Sequence, residues 1–164
     1  MKRRSVQVVI AVLVALVALF SIARLRYSGK AAVELPAANC DADLWQHVYR
    51  AARLRVLSRC TAVEGRVVSL DRGEDGDLHL ALEPERASIL NLINVFHLHR
   101  HLVAEVVCEH APADADAAAA CAGFTSRVAI PGVGDRVRIT GAYVTDGEVG
   151  WNEIHPVTRI ETLR

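Results

Sequence analysis

The chain has 164 residues, enough for one ordinary domain and a short appendage but too few for two separate hydrophobic cores. Its 19 basic and 19 acidic residues balance, but six of the basic residues and none of the acidic ones lie within the first 30 positions. The remainder has 13 basic and 19 acidic residues, a formal charge of −6. This argues against generic nucleic-acid binding, which is normally driven by a basic domain that neutralises phosphates.

The first element along the chain is an apolar stretch of 21 residues at positions 5–25. As a helix it would be about 31 Å long, close to the hydrocarbon thickness of a bilayer. Lys2, Arg3 and Arg4 precede it, so the positive-inside rule places the N-terminus in the cytoplasm and the rest outside. We therefore expect a transmembrane signal-anchor in residues 1–26. A cleaved signal peptide is the alternative, but no small-x-small cleavage motif follows the apolar core.

The composition bears on the source of the chain and on where it is located. Arginine, alanine and valine are abundant and there are only two lysines, a bias typical of GC-rich bacterial genomes. With the anchor, this predicts a single-pass protein of the bacterial cytoplasmic membrane whose C-terminal domain lies outside. The predicted partner is the cytoplasmic membrane, which residues 5–25 would span.

The chain has four cysteines, Cys40, Cys60, Cys108 and Cys121. None of them is in a CxxC spacing, so a zinc knuckle is not indicated. Export favours disulfides. Because Cys108 and Cys121 enclose a short segment, we expect them to pair and leave Cys40 with Cys60, although four cysteines allow three connectivities. Buried free thiols are the alternative.

The segment that precedes the main domain divides into two parts. Residues 27–39 show no sustained periodicity and are predicted to be a juxtamembrane linker. Across residues 40–59 the apolar positions repeat with a helical period, which predicts an amphipathic helix that packs on the domain. The polar face of this helix carries Arg50 and Arg53. We interpret that face mainly as a solvated surface, and secondarily as a surface for a partner or for lipid headgroups.

Beyond position 60 the hydrophobic period changes to two, which is typical of β-strands. Five strands are expected, at residues 60–70, 77–82, 102–109, 135–144 and 148–160. For residues 85–101 the pattern does not decide between a short helix and a loop. A short helix is expected between the third and fourth strands, because Pro112 suits a first turn and Gly123 a helix end. The predicted fold class is therefore mainly β, with residues 60–164 forming an OB-like, five-stranded β-barrel.

Several short segments resemble a group of small exported bacterial domains with OB-like folds. The most specific is Gly-Trp-Asn-Glu-Ile-His-Pro at residues 150–156; the others are residues 59–60, 75–79, 108–121 and 133–137. The resemblance covers residues 60–160 and implies the same OB-like fold. It implies no activity, because these domains are largely uncharacterised.

The candidate site comes from side-chain alternation on two predicted strands. Trp151, Glu153 and His155 share one face of the fifth strand, and Asp77 and His79 share one face of the second. Should these faces coincide, His79, His155 and Glu153 would suit a divalent metal, and the Glu153–His155 pair would suit acid–base chemistry on a bound water. The interpretation we favour is structural, with His79 and His155 hydrogen-bonded to Asp77 and Glu153.

A second group of histidines, His97, His99 and His101, alternates with other residues. In an extended segment the three imidazoles would share a side, as a zinc site requires. An exposed loop edge is the better interpretation, because close neighbours on one strand rarely converge on a single ion.

The sequence contains no GxSxG, HExxH, P-loop or GxGxxG motif, and aromatic residues are few. The leading hypothesis is a non-enzymatic, membrane-anchored binding or interaction module with a protein, peptide or glycan partner. The first alternative is a metal-assisted hydrolase that uses His79, Glu153 and His155. The second is a nucleic-acid-binding OB domain. No cofactor is predicted apart from the divalent metal of the hydrolase hypothesis.

Overall fold

A computed structural model describes residues 40–164. The predicted anchor in residues 1–26 and the predicted linker in residues 27–39 lie outside this described part. Among the described residues, no helix is both long enough and apolar enough to cross a membrane.

Five β-strands make up most of the described chain: β1 (Leu54–Arg72), β2 (Leu78–Pro84), β3 (Leu102–Val106), β4 (Arg136–Asp146) and β5 (Asn152–Thr162). They are hydrogen-bonded in the order β1-β2-β3-β5-β4, and β1 also pairs with β4. Strand β1 is 19 residues long and pairs with two strands. Its first part pairs with β4 and its last part with β2. A short parallel ladder joins β3 to β5, and the other pairings are antiparallel. The prediction of a mainly β fold with five strands is confirmed.

The predicted fold class is nevertheless wrong in its helices, and the first error is the helix expected between the third and fourth strands. Residues 107–135, which connect β3 to β4, form turns and irregular chain without a helix. The alanines of this segment favour a helix intrinsically, but a short helix needs a buried face, and Ala117 is the only residue buried between positions 111 and 130. The α-helix of the described chain is α1 (Leu92–His97), which lies between β2 and β3.

The predicted amphipathic helix over residues 40–59 is also wrong. The segment forms two short 3-10 helices, Ala42–His47 and Ala51–Arg53, and β1 begins at Leu54. Arg50 separates the two helices with a φ of 54°, in the left-handed region. Pairing with β4 then takes the residues from Leu54 onwards into the sheet, so tertiary hydrogen bonds override the local helical pattern.

Two disulfides, Cys40–Cys60 and Cys108–Cys121, join the predicted pairs of cysteines, so that prediction is confirmed. The first ties the N-terminal end of the described chain to the middle of β1. The second closes the beginning of the connection between β3 and β4.

The main hydrophobic core lies on one face of the strands. It includes Leu80 of β2, Ala104 of β3, Ile139 of β4 and Ile154 of β5, all fully buried. Because side chains alternate along a strand, the neighbours of these residues on β2, β3 and β5 point to the opposite face. That opposite face carries the polar residues of the candidate site.

Candidate functional site: a buried histidine among carboxylates

Strand register brings the polar residues together on the face opposite the main core. His79 on β2 lies directly across from Glu105 on β3. Glu153 on β5 lies across from Val103 on β3, two positions before Glu105, and His155 follows two residues after Glu153. Asp77 immediately precedes β2. Three neighbouring strands therefore direct one group of ionisable side chains to a common place.

His155 is the centre of this group. Its Nδ1 atom donates a hydrogen bond to Oε1 of Glu153 at 3.1 Å, and the same atom lies 2.9 Å from Oε2 of Glu105. Its Nε2 atom lies 3.7 Å from Oδ2 of Asp77. One imidazole is thus surrounded by three carboxyl groups from three different segments of the chain.

The site is closed to solvent. His155 and Glu153 are 0 % exposed, Asp77 is 1 % exposed and Glu105 is 4 % exposed. Oδ2 of Asp77 and Nε2 of His155 have no hydrogen-bond partner, whereas Oε2 of Glu105 lies 2.9 Å from Nδ1 of His155 in an ion pair. Buried polar atoms without partners are rare and costly in native proteins, so this convergence requires an explanation.

The carboxyl groups are held in place through their other oxygen atoms. The backbone N–H of Cys108 donates to Oδ1 of Asp77 at 2.8 Å, which leaves Oδ2 directed towards His155. Nε1 of Trp151 donates to Oε2 of Glu153 at 2.7 Å, which leaves Oε1 for Nδ1 of His155. These contacts fix the carboxyl groups before any ligand arrives.

Burial and charge act on the pKa values in opposite directions. Burial raises the pKa of Asp77 to about 7 and also raises that of Glu153. Burial alone would lower the pKa of His155, but Glu105 and Glu153 outweigh it and raise that pKa to about 10. Burial likewise acts to raise the pKa of Glu105, and the attraction of His155 lowers it to about 2. Without a further ligand, His155 and Glu105 therefore form a buried ion pair.

The donor set fits a divalent metal ion. Asp77, Glu105 and His155 each offer a ligand atom within 4.8 Å of the other two. Carboxylate oxygens with an imidazole nitrogen suit ions such as Zn²⁺ and Mn²⁺. A second group, Asp77 with Cys108 and Cys121, has comparable spacing, but its two sulfurs are joined in a disulfide and are not thiolate ligands.

The residues predicted from the sequence are brought together only in part. Asp77 and Glu153 contact His155, and Trp151 contacts Glu153. His79 reaches Glu105 alone, with Nε2 at 3.8 Å from Oε2, and its side chain is 38 % exposed.

The sequence interpretation missed Glu105, which lies closest to His155. One feature of the sequence could have indicated it: Glu105 is the single acidic residue in the apolar run at positions 102–108. It lies between two core residues of that run. Its importance depends on the register between β2 and β3, which the sequence pattern did not supply.

Two other predicted features are arranged differently from expectation. His97 ends α1, and His99 lies in the following turn with a φ of 50°, so His97, His99 and His101 do not lie along an extended strand. Arg50 forms an ion pair with Glu148, and Arg53 forms one with Asp146 at 2.7 Å. Since the Arg53 side chain is only 14 % exposed, the predicted arginine-bearing helix surface is not formed.

Comparison with known proteins finds no family model and no curated protein that matches this chain.

Proposed function

We propose that this domain is a non-enzymatic binding module built around a buried divalent metal ion, with Asp77, Glu105 and His155 as its ligands. The observation that carries the proposal is the convergence of three buried side chains whose ligand atoms lie within 4.8 Å of one another. In Asp77 and His155 one polar atom has no hydrogen-bond partner. A cation would give these two atoms a partner that the protein itself does not provide, and Glu105 would supply a further carboxylate.

The surroundings of His155 support this assignment. Histidine ligands of metals commonly donate their other ring N–H to a carboxylate, which fixes the tautomer and strengthens the ligand. Nδ1 of His155 is held by Glu153 at 3.1 Å and by Glu105 at 2.9 Å, and so Nε2 is the atom left for a metal. Glu153 therefore orients His155, and Glu105 would turn its Oε2 atom from Nδ1 towards the ion in order to ligate it.

An ion in the site would give two buried polar atoms a partner. In the metal-free protein, Nε2 of His155 is buried at 3.7 Å from Oδ2 of Asp77, beyond hydrogen-bond distance. Each buried polar group left without a partner costs about 1–3 kcal/mol. Binding of a cation with loss of the Nε2 proton would remove these costs at the expense of the ion pair between His155 and Glu105, and the two carboxylates of Asp77 and Glu105 would balance the charge of the ion.

Burial favours a structural role for the ion over a catalytic one. A catalytic metal needs an open coordination position that substrate or water can reach. Glu153 and His155, the candidate catalytic residues, are both 0 % exposed. This counts against the hydrolase hypothesis, and the acidic charge of the domain counts against nucleic-acid binding.

The experiment that tests the proposal is elemental analysis of the full chain, produced in an oxidising compartment without a histidine tag. After exposure to Zn²⁺ or Mn²⁺ and removal of excess ion, about one equivalent should remain. Asp77→Asn and Glu105→Gln, which preserve side-chain size, should lose it. Glu109→Gln is the matched control, because Glu109 is a half-buried carboxylate just beyond β3, outside the ligand set.

Two outcomes would overturn the proposal. The first is a wild-type protein that retains no ion after exposure to excess metal. The second is equal metal content in the wild type and in both ligand variants. Circular dichroism should show that the variants keep the β-rich fold, so that metal loss is not mistaken for unfolding.

We also propose that residues 5–25 hold this module at the outer face of the cytoplasmic membrane. The length and apolar character of that segment support the proposal, as do the two disulfides, which persist in oxidising compartments. Alkaline extraction of membranes tests it. The chain should stay in the membrane pellet, and release into the soluble fraction would contradict the proposal.

A further inference from the structure

The short helix α1 is polar on its inner side and apolar on its outer side. Asn94 is completely buried, whereas Leu92 is 71 % exposed and Phe96 is 73 % exposed. Residues four apart lie on the same side of a helix, so Leu92 and Phe96 form one protruding apolar pair. This is the reverse of the usual arrangement for a surface helix, whose apolar side faces the core.

Hydrogen bonds hold α1 in this orientation. The Asn94 side chain donates to the backbone carbonyl of Asn152 at 2.8 Å and to that of His101 at 3.1 Å. It also accepts from the backbone N–H of Asn152 at 2.9 Å. A reciprocal pair of hydrogen bonds between Asn91 and Asn94 caps the start of the helix. The exposure of Leu92 and Phe96 is therefore a fixed feature of the fold.

The chain around α1 has a charge opposite to that of the rest of the domain. Residues 86–104 contain two arginines and three histidines but no acidic residue, although the chain beyond position 30 has 19 acidic and 13 basic residues. His97, His99 and Arg100 follow Phe96 in the chain and are exposed. We use the name α1 surface for five of these residues: Leu92, Phe96, His97, His99 and Arg100.

We propose that the α1 surface docks on anionic phospholipid, in the membrane that holds the chain through residues 5–25. Apolar side chains that enter the acyl boundary, flanked by cations that contact headgroups, are characteristic of surface-bound membrane segments. The surface has both parts, with Arg100 as its cation. This inference goes beyond metal binding and rests on the proposed anchor, not on the metal centre.

The length of the chain makes the docking feasible. The 14 residues between the apolar segment and Cys40 can span up to about 46 Å when extended. A domain of this size has a radius of gyration of about 14 Å, so a tether of this length does not restrict the bilayer to one particular face of the domain. Two apolar side chains would bind a free domain only weakly. A tether maintains an effective concentration on the order of millimolar, at which weak contacts are occupied.

The test uses the full chain reconstituted in vesicles that contain anionic phospholipid with brominated acyl chains. Phe96→Trp places a fluorescent reporter on the α1 surface, and Val133→Trp is the matched control at an exposed apolar position outside it, 64 % exposed. Brominated chains quench only an indole that enters the hydrocarbon. The fluorescence contributed by the introduced tryptophan should be quenched about twofold more strongly in Phe96→Trp than in Val133→Trp. Adding Leu92→Ser, or replacing anionic with zwitterionic lipid, should reduce the difference.

Equal quenching of the two reporters would overturn the proposal. So would a chain that fails to float with the vesicles, because the docking rests on the anchor. Cross-linking between chains through the α1 surface, without quenching by brominated lipid, would assign the surface to a second copy instead. The metal content of the protein is independent of all these results, so failure here and failure of the metal proposal remain distinguishable.

Discussion

Nε2 of His155 lies 3.7 Å from Oδ2 of Asp77, and neither atom has a hydrogen-bond partner. The separation is too long for a hydrogen bond. Two ligands of one tetrahedral Zn²⁺ ion lie about 3.4 Å apart, given bond lengths near 2.1 Å. A movement of a few tenths of an ångström would therefore bring both atoms to a shared ion.

Metal should stabilise the folded protein. Ligand at about 100 times its dissociation constant contributes about 2.7 kcal/mol, which for a domain of this size corresponds to a rise in Tm of roughly 10 °C. Thermal unfolding of the full chain in excess Zn²⁺ and in chelator measures the difference. Asp77→Asn should show almost no shift, and a shift as large as that of the wild type would exclude Asp77 as a ligand.

The stability of the metal-free protein should fall as the pH rises. The pKa of Asp77 is raised from 3.8 to about 7, so the folded state binds more protons than the unfolded state between those values. The free energy of unfolding should then decrease across this window, by about 1.4 kcal/mol for each unit of pKa shift. The pKa of His155, raised from 6.5 to about 10, continues the same trend at higher pH.

Urea titrations in chelator between pH 4.5 and 7 measure this slope. Asp77→Asn removes one titrating group and should reduce the slope, and Asp71→Asn, a change of an exposed carboxyl group, serves as the control. A stability that rises with pH in the wild type would contradict the prediction.

Trp151 and Glu153 should be energetically coupled. Trp151→Phe removes the donor to the buried Oε2 atom of Glu153 and should lower the free energy of unfolding by about 1–3 kcal/mol. A double-mutant cycle with Glu153→Met, which removes the acceptor and is measured by urea unfolding, isolates the pair. Additive losses would show that the hydrogen bond contributes nothing of its own.

Asn94→Ala should be among the most destabilising changes near the protein surface. It leaves the buried backbone N–H of Asn152 and the carbonyls of Asn152 and His101 without their partner. We expect a loss of about 3 kcal/mol and faster amide exchange in α1. Ser88→Ala, an exposed change just before α1, serves as the control. A loss below 1 kcal/mol would mean that α1 is held by other contacts.

Much of the chemistry in this protein is local and readable from the sequence. The alternation of Trp151, Glu153 and His155 along one strand places the last two on one face, because side chains in an extended chain alternate by geometry alone. The five strands follow from the same period of two. The disulfide pairs follow from the even number of cysteines and from the short separation of Cys108 and Cys121.

Tertiary structure decided the rest, because it depends on contacts between distant segments. Glu105 joins His155 only through the register of β3 with β2 and β5, which a strand pattern does not encode. Residues 54–59 have a helical apolar pattern, but pairing with β4 makes them part of β1. The alanine-rich segment after Cys108 lacks a buried face and remains a series of turns. Local preference amounts to a few tenths of a kcal/mol per residue, and strand pairing and burial outweigh it.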